Sequence, residues 1–313
     1  MAYTSMEKRV GRLDVKVGLR AEYTRMDGNT VTTGEQFERT YFSLFPSVFI
    51  VRRLNEKKGS SIYLNYSKRI QRPSFADLNP YRLQFDDYLT QLGNPELMPE
   101  YTHKLELGSV FGKNFSADVY YSRTSDKIAQ LARPIEDKVI EYQTTNFNSS
   151  YEYGLSLNAP VSVASWWKTN TSFALYNLRY SLSEYNIQQT TLYARTQHEF
   201  SIKNLGDIDV SVDYRSPYVN ANTYVAYQFV TDAGISRRFL NRSLLLRLNV
   251  TDILNTAREK NYTLYEGTRI DFYQKRPTRT FNISLSYNFS SGKKFNNKQI
   301  EQGVNEEKNR IGN

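Results

Sequence analysis

The sequence contains no cysteine, which removes disulfides, thiolate metal sites and cysteine nucleophiles from consideration. Histidine is nearly as scarce. The only two, His103 and His198, lie in strand-like patterns with no G-x-S-x-G or comparable nucleophile motif, so no enzymatic site is expected. No apolar run reaches helix-spanning length, and the longest lies near Val48–Val51, which excludes a transmembrane helix but says nothing against a membrane barrel. A glycine-rich phosphate loop is absent, and no cofactor is expected. The opening residues MAYTSMEKRVGRLDV lack the apolar core of about 7–15 residues that a signal peptide needs. The expectation is therefore a protein that is not exported, or the mature form or a piece of something longer.

The net charge of +9 raises the question of nucleic acid. Basic residues alternate with acidic ones along the chain, as in Asp14, Lys16, Arg20 and Glu22, and no basic run of five occurs, so nucleic acid is not an expected partner. No metal site is expected either. Asp207-x-Asp209-x-Ser211-x-Asp213 superficially resembles a calcium loop, but Val212 stands where an EF-hand needs glycine, and the spacing is that of a strand.

What the chain does have is alternation. In residues 281–289, FNISLSYNF, Phe281, Ile283, Leu285, Tyr287 and Phe289 are apolar, while the residues between them are Asn or Ser. A period of two marks a strand with one apolar and one polar face. Similar patterns place about twelve strands near 11–26, 38–53, 60–72, 100–111, 114–127, 138–158, 166–181, 190–203, 206–217, 222–239, 242–255 and 277–290. Most run ten residues or more. Soluble strands average about five or six, whereas tilted membrane strands need about 9–11.

The connections sort by length. Short ones fall around Asn55–Gly59, Gly112–Asn114, Ala159–Ser165, Asn204–Gly206 and Leu240–Asn241. Long ones fall around Asp27–Phe37, Pro73–Pro99, Ser125–Asp137 and Asn255–Arg276. Short turns on one side and longer loops on the other is the arrangement of an outer-membrane barrel. Charges such as Lys104 and Glu106, or Asp207, Asp209, Asp213 and Arg215, share the polar faces. They suit a watery lumen, and equally the solvent face of a soluble sheet. The 25 Tyr and 17 Phe fit either setting, and Trp166-Trp167 reads as an interfacial girdle or a sugar-stacking platform.

The expected fold is all-β: an antiparallel, transmembrane, up-and-down β-barrel. Residues 1–10 form a lead-in, 11–290 the barrel segment, and 291–313 a polar, flexible tail on the short-turn, periplasmic side. An even strand count leaves a small closed barrel open as an arrangement. An unclosed one presents two unpaired edges to lipid, each unsatisfied group costing several kcal/mol.

Three segments carry a resemblance. Residues 66–74, YSKRIQRPS, are followed by Leu78-Asn79-Pro80 and then by 93–100, GNPELMPE. Residues 249–255, NVTDILN, come later. Together they resemble the C-terminal β-barrel of TonB-dependent outer-membrane receptors, within the outer-membrane protein β-barrel family. The resemblance spans about residues 11–290 and includes no plug domain, and family barrels have twenty-two strands. A truncated chain carrying the C-terminal half of the barrel is the simplest account.

The resemblance implies location in the cell outer membrane. It also implies uptake of a bulky nutrient such as a siderophore, cobalamin or an oligosaccharide, driven by the TonB complex through a plug. Phe289 resembles the terminal signal read by the barrel-assembly machinery. Gly93, Asn94, Pro95, Pro99 and Glu100 are expected to act structurally: Gly93-Asn94 as a turn, and the prolines as an extended approach to the strand near Tyr101. In the Arg72–Glu100 loop, Arg82, Asp86, Asp87 and Tyr88 offer charge and stacking to a ligand. A non-transporting structural or adhesive barrel and a soluble carbohydrate-binding β-sandwich are the alternatives.

Overall fold

A computed structural model of the protein describes residues 1–29, 34, 36–112, 114–136, 139–182 and 186–289. The tail expected over 291–313 lies outside these residues. In chain order the elements are β1 (Ala2–Val10), β2 (Leu13–Asn29), β3 (Gln36–Asn55), β4 (Ser60–Gln71), α1 (Phe75–Leu78), β5 (Arg82–Gln84), β6 (Leu89–Leu92), β7 (Glu100–Phe111), β8 (Phe115–Glu136), β9 (Val139–Ala164) and β10 (Trp167–Ser181). They continue as β11 (Asn186–Ile202), β12 (Gly206–Arg215), β13 (Tyr218–Asn220), β14 (Thr223–Val225), β15 (Gln228–Phe239), β16 (Leu244–Thr251), β17 (Glu259–Tyr265), β18 (Thr268–Gln274) and β19 (Thr280–Tyr287).

Thirteen of these strands form one wall, in the order β1-β2-β3-β4-β7-β8-β9-β10-β11-β12-β15-β16-β19. Each wall strand is antiparallel to its neighbours. The ladder rows follow from the alternation in the sequence. One row runs Val15–Ile50–Leu64–Leu107–Val119–Leu155–Leu175–Leu192 across eight strands. Another runs Phe200–Ile208–Ile235–Leu248–Ile283. Such β-branched, leucine and aromatic residues pack well side by side on a pleated surface.

This apolar face is uncovered. Leu107 is 49% exposed, Val119 53% and Ile283 76%. A contiguous apolar surface of this breadth calls for an apolar environment. The opposite face is mostly polar and is concave over β9 to β19. There, Lys168, Asn170, Glu199, Asp209, Asp232 and Arg247 border a hollow of about 790 Å³.

The two faces decide between barrel and sandwich. A sandwich buries its apolar faces between two sheets. Here the buried hydrophobic clusters among the described residues are Phe147, Tyr180, Ile187, Val219 and Ala221, and Met26, Leu78 and Leu97. Both lie at the end of the wall away from the short turns. The soluble sandwich is therefore excluded, and the wall is that of a transmembrane barrel.

Several boundaries differ from the sequence reading. Residues 2–10, taken as a lead-in, pair with β2 along their whole length. Residues 125–136, taken as a loop, continue β8. The segment 222–239 is broken into β14 and β15, and the long connections 72–99 and 252–279 hold short strands of their own. Trp166 sits in the turn and Trp167 opens β10. Their rings stack with each other and with Phe200, and His198 stacks on Phe200.

The count is thirteen rather than twelve, so β1 and β19 run in the same direction. The sheet is open. Antiparallel closure between these two edges, which an even count had allowed, is not available to them.

On the polar face Lys104 Nζ lies 2.6 Å from Glu106 Oε2 and above the Tyr120 ring. The Tyr120 hydroxyl donates to Glu152 at 2.8 Å. Gly154 pairs with both Tyr120 and Tyr176. A Cβ on it would lie 2.6 Å from the Leu175 carbonyl oxygen and 2.7 Å from Tyr176 Cβ, so the missing side chain is what lets the tyrosines flank it.

The face assignment has a direct test. In lipid vesicles Leu107→Arg is expected to lower unfolding free energy by about 2–4 kcal/mol. Asn65→Arg, on the polar face opposite Glu106, is expected to change it by less than about 0.5 kcal/mol. Equal losses in denaturant titrations would remove the assignment.

Candidate functional site on the loop side

The connection 72–99 is anchored at its root by Arg72. Its guanidinium donates to Glu22 Oε2 at 2.6 Å, to Thr24 Oγ1 at 3.1 Å and to the Tyr41 hydroxyl at 3.0 Å. This charge-assisted set ties the connection to β2 and β3. Ser74 then caps the single turn of α1. Its Oγ accepts from the Asp77 N–H, and Asp77 Oδ2 accepts from the Ser74 N–H, a reciprocal capping box. Asp77 is used again: Oδ1 accepts from the Thr144 hydroxyl on β9, and its carbonyl accepts from the Asn94 N–H at 2.6 Å.

Gly93 lies against this turn. A Cβ there would fall 2.2 Å from the Asn79 carbonyl oxygen and 2.7 Å from that of Asp77. Glycine is required for space. The turn itself starts one residue later than expected: Asn94 Oδ1 accepts from the Glu96 N–H, and the Leu97 N–H donates to the Asn94 carbonyl. Pro95 thus holds the second turn position, where its fixed φ fits. Arg39 of β3 donates to the carbonyls of Pro95 and Leu97, and Leu97 packs fully buried with Met26 and Leu78. Pro99 is buried as well. Glu100 opens β7 and accepts from Lys127 Nζ at 3.0 Å and from the Ile128 N–H at 2.8 Å. The five motif residues therefore surround one knot between β3, β7, β8 and β9.

The four candidate ligand residues are divided. Arg82 turns toward protein, with Nη2 2.8 Å from Oε2 of Glu141 on β9, a charge contact rather than an aligned hydrogen bond. Arg133 takes the other oxygen at 2.8 Å, and Glu141 is fully buried. Asp86 shapes the β5–β6 turn by accepting from the Tyr88 N–H at 2.7 Å. Asp87 and Tyr88 reach solvent, beside the exposed Leu83 and Phe85. The hairpin is held to the wall because β6 pairs in parallel with β9.

Beyond Ser125, β8 outruns β7 and bares one edge. A second sheet, β13-β14-β17-β18, meets it there. The fully buried Asn222 supplies the joint. Its Oδ1 accepts from the Ala132 N–H at 3.1 Å, and its Nδ2 donates to the Ala132 carbonyl at 2.7 Å and to that of Leu264 at 3.2 Å. One carboxamide thus stands in for a pairing strand. Val219 and Ala221 of the same hairpin pack on Phe147, Tyr180 and Ile187.

Asp252 organises the last connection. This buried carboxylate accepts from the Thr256 and Ala257 N–H groups and from the Thr278 hydroxyl, with Lys275 Nζ 3.6 Å away. Arg39, Glu141, Asn222 and Asp252 were not singled out from sequence. Asp252 sits inside the quoted NVTDILN stretch, and Asn220-Ala221-Asn222 is a turn-forming triplet of which only Asn222 falls in the strand read over 222–239.

An open antiparallel wall, apolar outside and polar inside with an ordered cap on one rim, defines the class as an outer-membrane β-barrel protein. Residues 1–287 match the outer membrane protein beta-barrel family, and the chain belongs to it, in the cell outer membrane. No curated protein sequence matches it.

Among solved structures it is similar to the copper transporter OprC, with TM-score 0.67 and 17% identity, covering 92% of this chain and 47% of that one. It is similar to the ferric yersiniabactin uptake receptor FyuA from Yersinia pestis, with TM-score 0.65, 14% identity and coverage of 92% and 45%. The siderophore receptor PirA from Pseudomonas aeruginosa gives TM-score 0.57, 13% identity and coverage of 92% and 48%. These neighbours are TonB-dependent receptors, as the sequence motifs implied, and the chain spans about half their length.

Two substitutions test the cap. Gly93→Ala is expected to destabilise the 72–99 connection by about 1–3 kcal/mol through overpacking, read as faster proteolytic nicking there. Asn222→Ala strands the Ala132 N–H and carbonyl, at about 1–3 kcal/mol for a group left unsatisfied. Hydrogen exchange at the Ala132 amide should accelerate while amides in the mid-wall rows stay protected. Unchanged exchange would refute the joint.

Proposed function

We propose that this chain is the barrel wall of a TonB-dependent receptor that takes up a bulky nutrient of siderophore, cobalamin or oligosaccharide size. The observation that carries the reading is the pairing of a polar inner face with a preorganised cap. Four anchored carboxylates, Asp77, Glu100, Glu141 and Asp252, hold irregular backbone in fixed positions above the wall. A rim built this way suits ligand capture, since ordering costs are met before binding. The similar solved structures are a copper transporter, a siderophore receptor and a ferric yersiniabactin uptake receptor, which favours uptake over a purely structural role.

In this reading the apolar face contacts outer-membrane lipid, and the barrel-assembly machinery recognises the end of the wall at the exposed Phe289. Energy arrives from the TonB complex through a plug seated against the inner face. The protein performs no covalent chemistry and needs no cofactor. Of the four loop residues first considered for ligand contact, Asp87 and Tyr88 remain as candidates. Arg82 and Asp86 hold the hairpin, and Gly93, Asn94, Pro95, Pro99 and Glu100 hold its base.

Deletion of the gene tests the proposal. Growth on limiting ferric siderophore, cobalamin or oligosaccharide as the sole source should fall for one of these in the deletion strain, and fall equally in a strain lacking TonB. Normal uptake of all three in the deletion strain would sink the transport reading and leave a structural barrel.

A further inference from the structure

A second hollow, of about 310 Å³, opens between the β8–β9 extension and the four-stranded sheet. Its lining is chemically narrow. Tyr142 and Tyr218 contribute rings, Gln130, Asn220, Gln228 and Asn261 contribute carboxamides, and Glu259 is the one charged residue. Among the described residues no Lys, Arg or His lines it, and Val225 is its one aliphatic residue.

Among the described residues, the side chains of Gln130, Asn220 and Gln228 make no hydrogen bond to protein, whereas Asn261 reaches Glu259 at 3.4 Å. Three free carboxamides from three different strands thus border one cleft. The cleft is also preformed. Its two sides are joined by Asn222, which grips β8 at Ala132 and the β17 backbone at Leu264.

We propose that this cleft binds a neutral sugar ring, as a saccharide subsite of the uptake receptor read above. An anionic chelate would meet a carboxylate and no cation. A metal ion would find a single carboxylate, and an acyl chain almost no aliphatic wall. A polyhydroxyl ring matches what is there. Each carboxamide offers both donors and an acceptor to neighbouring hydroxyls. The tyrosine rings offer apolar faces to the C–H side of the sugar, with hydroxyls at their polar ends. The volume sits at the low end for small-molecule pockets, room for about one or two rings.

The test is calorimetric titration of the full chain in detergent micelles. The probes are glucose, maltose, cellobiose, xylobiose and mannobiose, with a ferric catecholate as the anionic control. At least one neutral saccharide is expected to bind and the catecholate not to compete with it. Asn220→Ala combined with Gln228→Ala should weaken that binding at least tenfold with an unchanged melting temperature, because neither side chain holds the fold together. Lys57→Ala, in the exposed short turn between β3 and β4 at the opposite rim, should leave binding as it is.

Absence of binding by every saccharide, or full affinity in the double variant, overturns the assignment. Saccharide failure alongside intact nutrient uptake removes only this subsite. Normal uptake in the deletion strain alongside intact saccharide binding removes the transport reading instead.

Discussion

Each backbone N–H and carbonyl at membrane depth must find its partner in a neighbouring strand, because lipid offers none. The thirteen-strand ladder meets that demand, and the rest of the molecule is arranged around it. Once Val15 stands opposite Ile50 and Leu64 opposite Leu107, every second residue of those strands is committed to one face. A slip of one residue would turn Glu106 toward lipid and Leu107 toward water, so the register is fixed by many side chains at once. The polar interior tolerates charge because it is concave and wet. There Tyr120 and Tyr176 can flank Gly154, and Tyr120 can pair with Glu152.

The loop-side rim obeys a different rule. Water is available, so irregular backbone is permitted, but it still has to be held in place. Carboxylates do most of this work. Glu100, Asp77 and Asp252 accept from backbone N–H groups or hydroxyls, and Glu141 sits between two arginines from different elements. Bonds of this kind are stronger than neutral ones, and truncating one member leaves a buried group unpaired. The rim is therefore an extension of the wall in rigidity, even though its backbone is irregular.

How much of this was readable depends on where one face meets a uniform environment. At Phe281–Phe289 one face meets lipid and the other water, and the alternation is complete. In Ser125–Glu136 it fails. Asp126 takes a φ of 52°, and beyond it Leu131 packs on the buried cluster while Ala132 holds Asn222, so both faces touch protein and the period of two fades. β1 was missed because Thr4, Ser5, Glu7, Lys8 and Arg9 put polar residues on both faces. The knot at Gly93–Glu100 was visible as a motif. The partners that give it meaning lie far away in sequence: Arg39, and Asn146, whose Oδ1 accepts from the Met98 N–H and whose Nδ2 donates to the Met98 carbonyl. Arg82 drew notice as a charge in a loop, and nothing local marked Glu141 as its counterpart. The lining of the cleft beside the four-stranded sheet comes from six separate strands, so no single stretch of sequence announces it.

The joint at Asn222 separates two kinds of change. A strand added to the free edge of β8 would have welded the four-stranded sheet into the ladder, as β6 is joined to β9, and any alteration of that sheet would then propagate through the register of the wall. A single carboxamide holds the edge instead, while the hairpins around it hang from connections that the wall does not count. The four-stranded sheet can therefore diverge in length and lining while the wall below keeps its pairing.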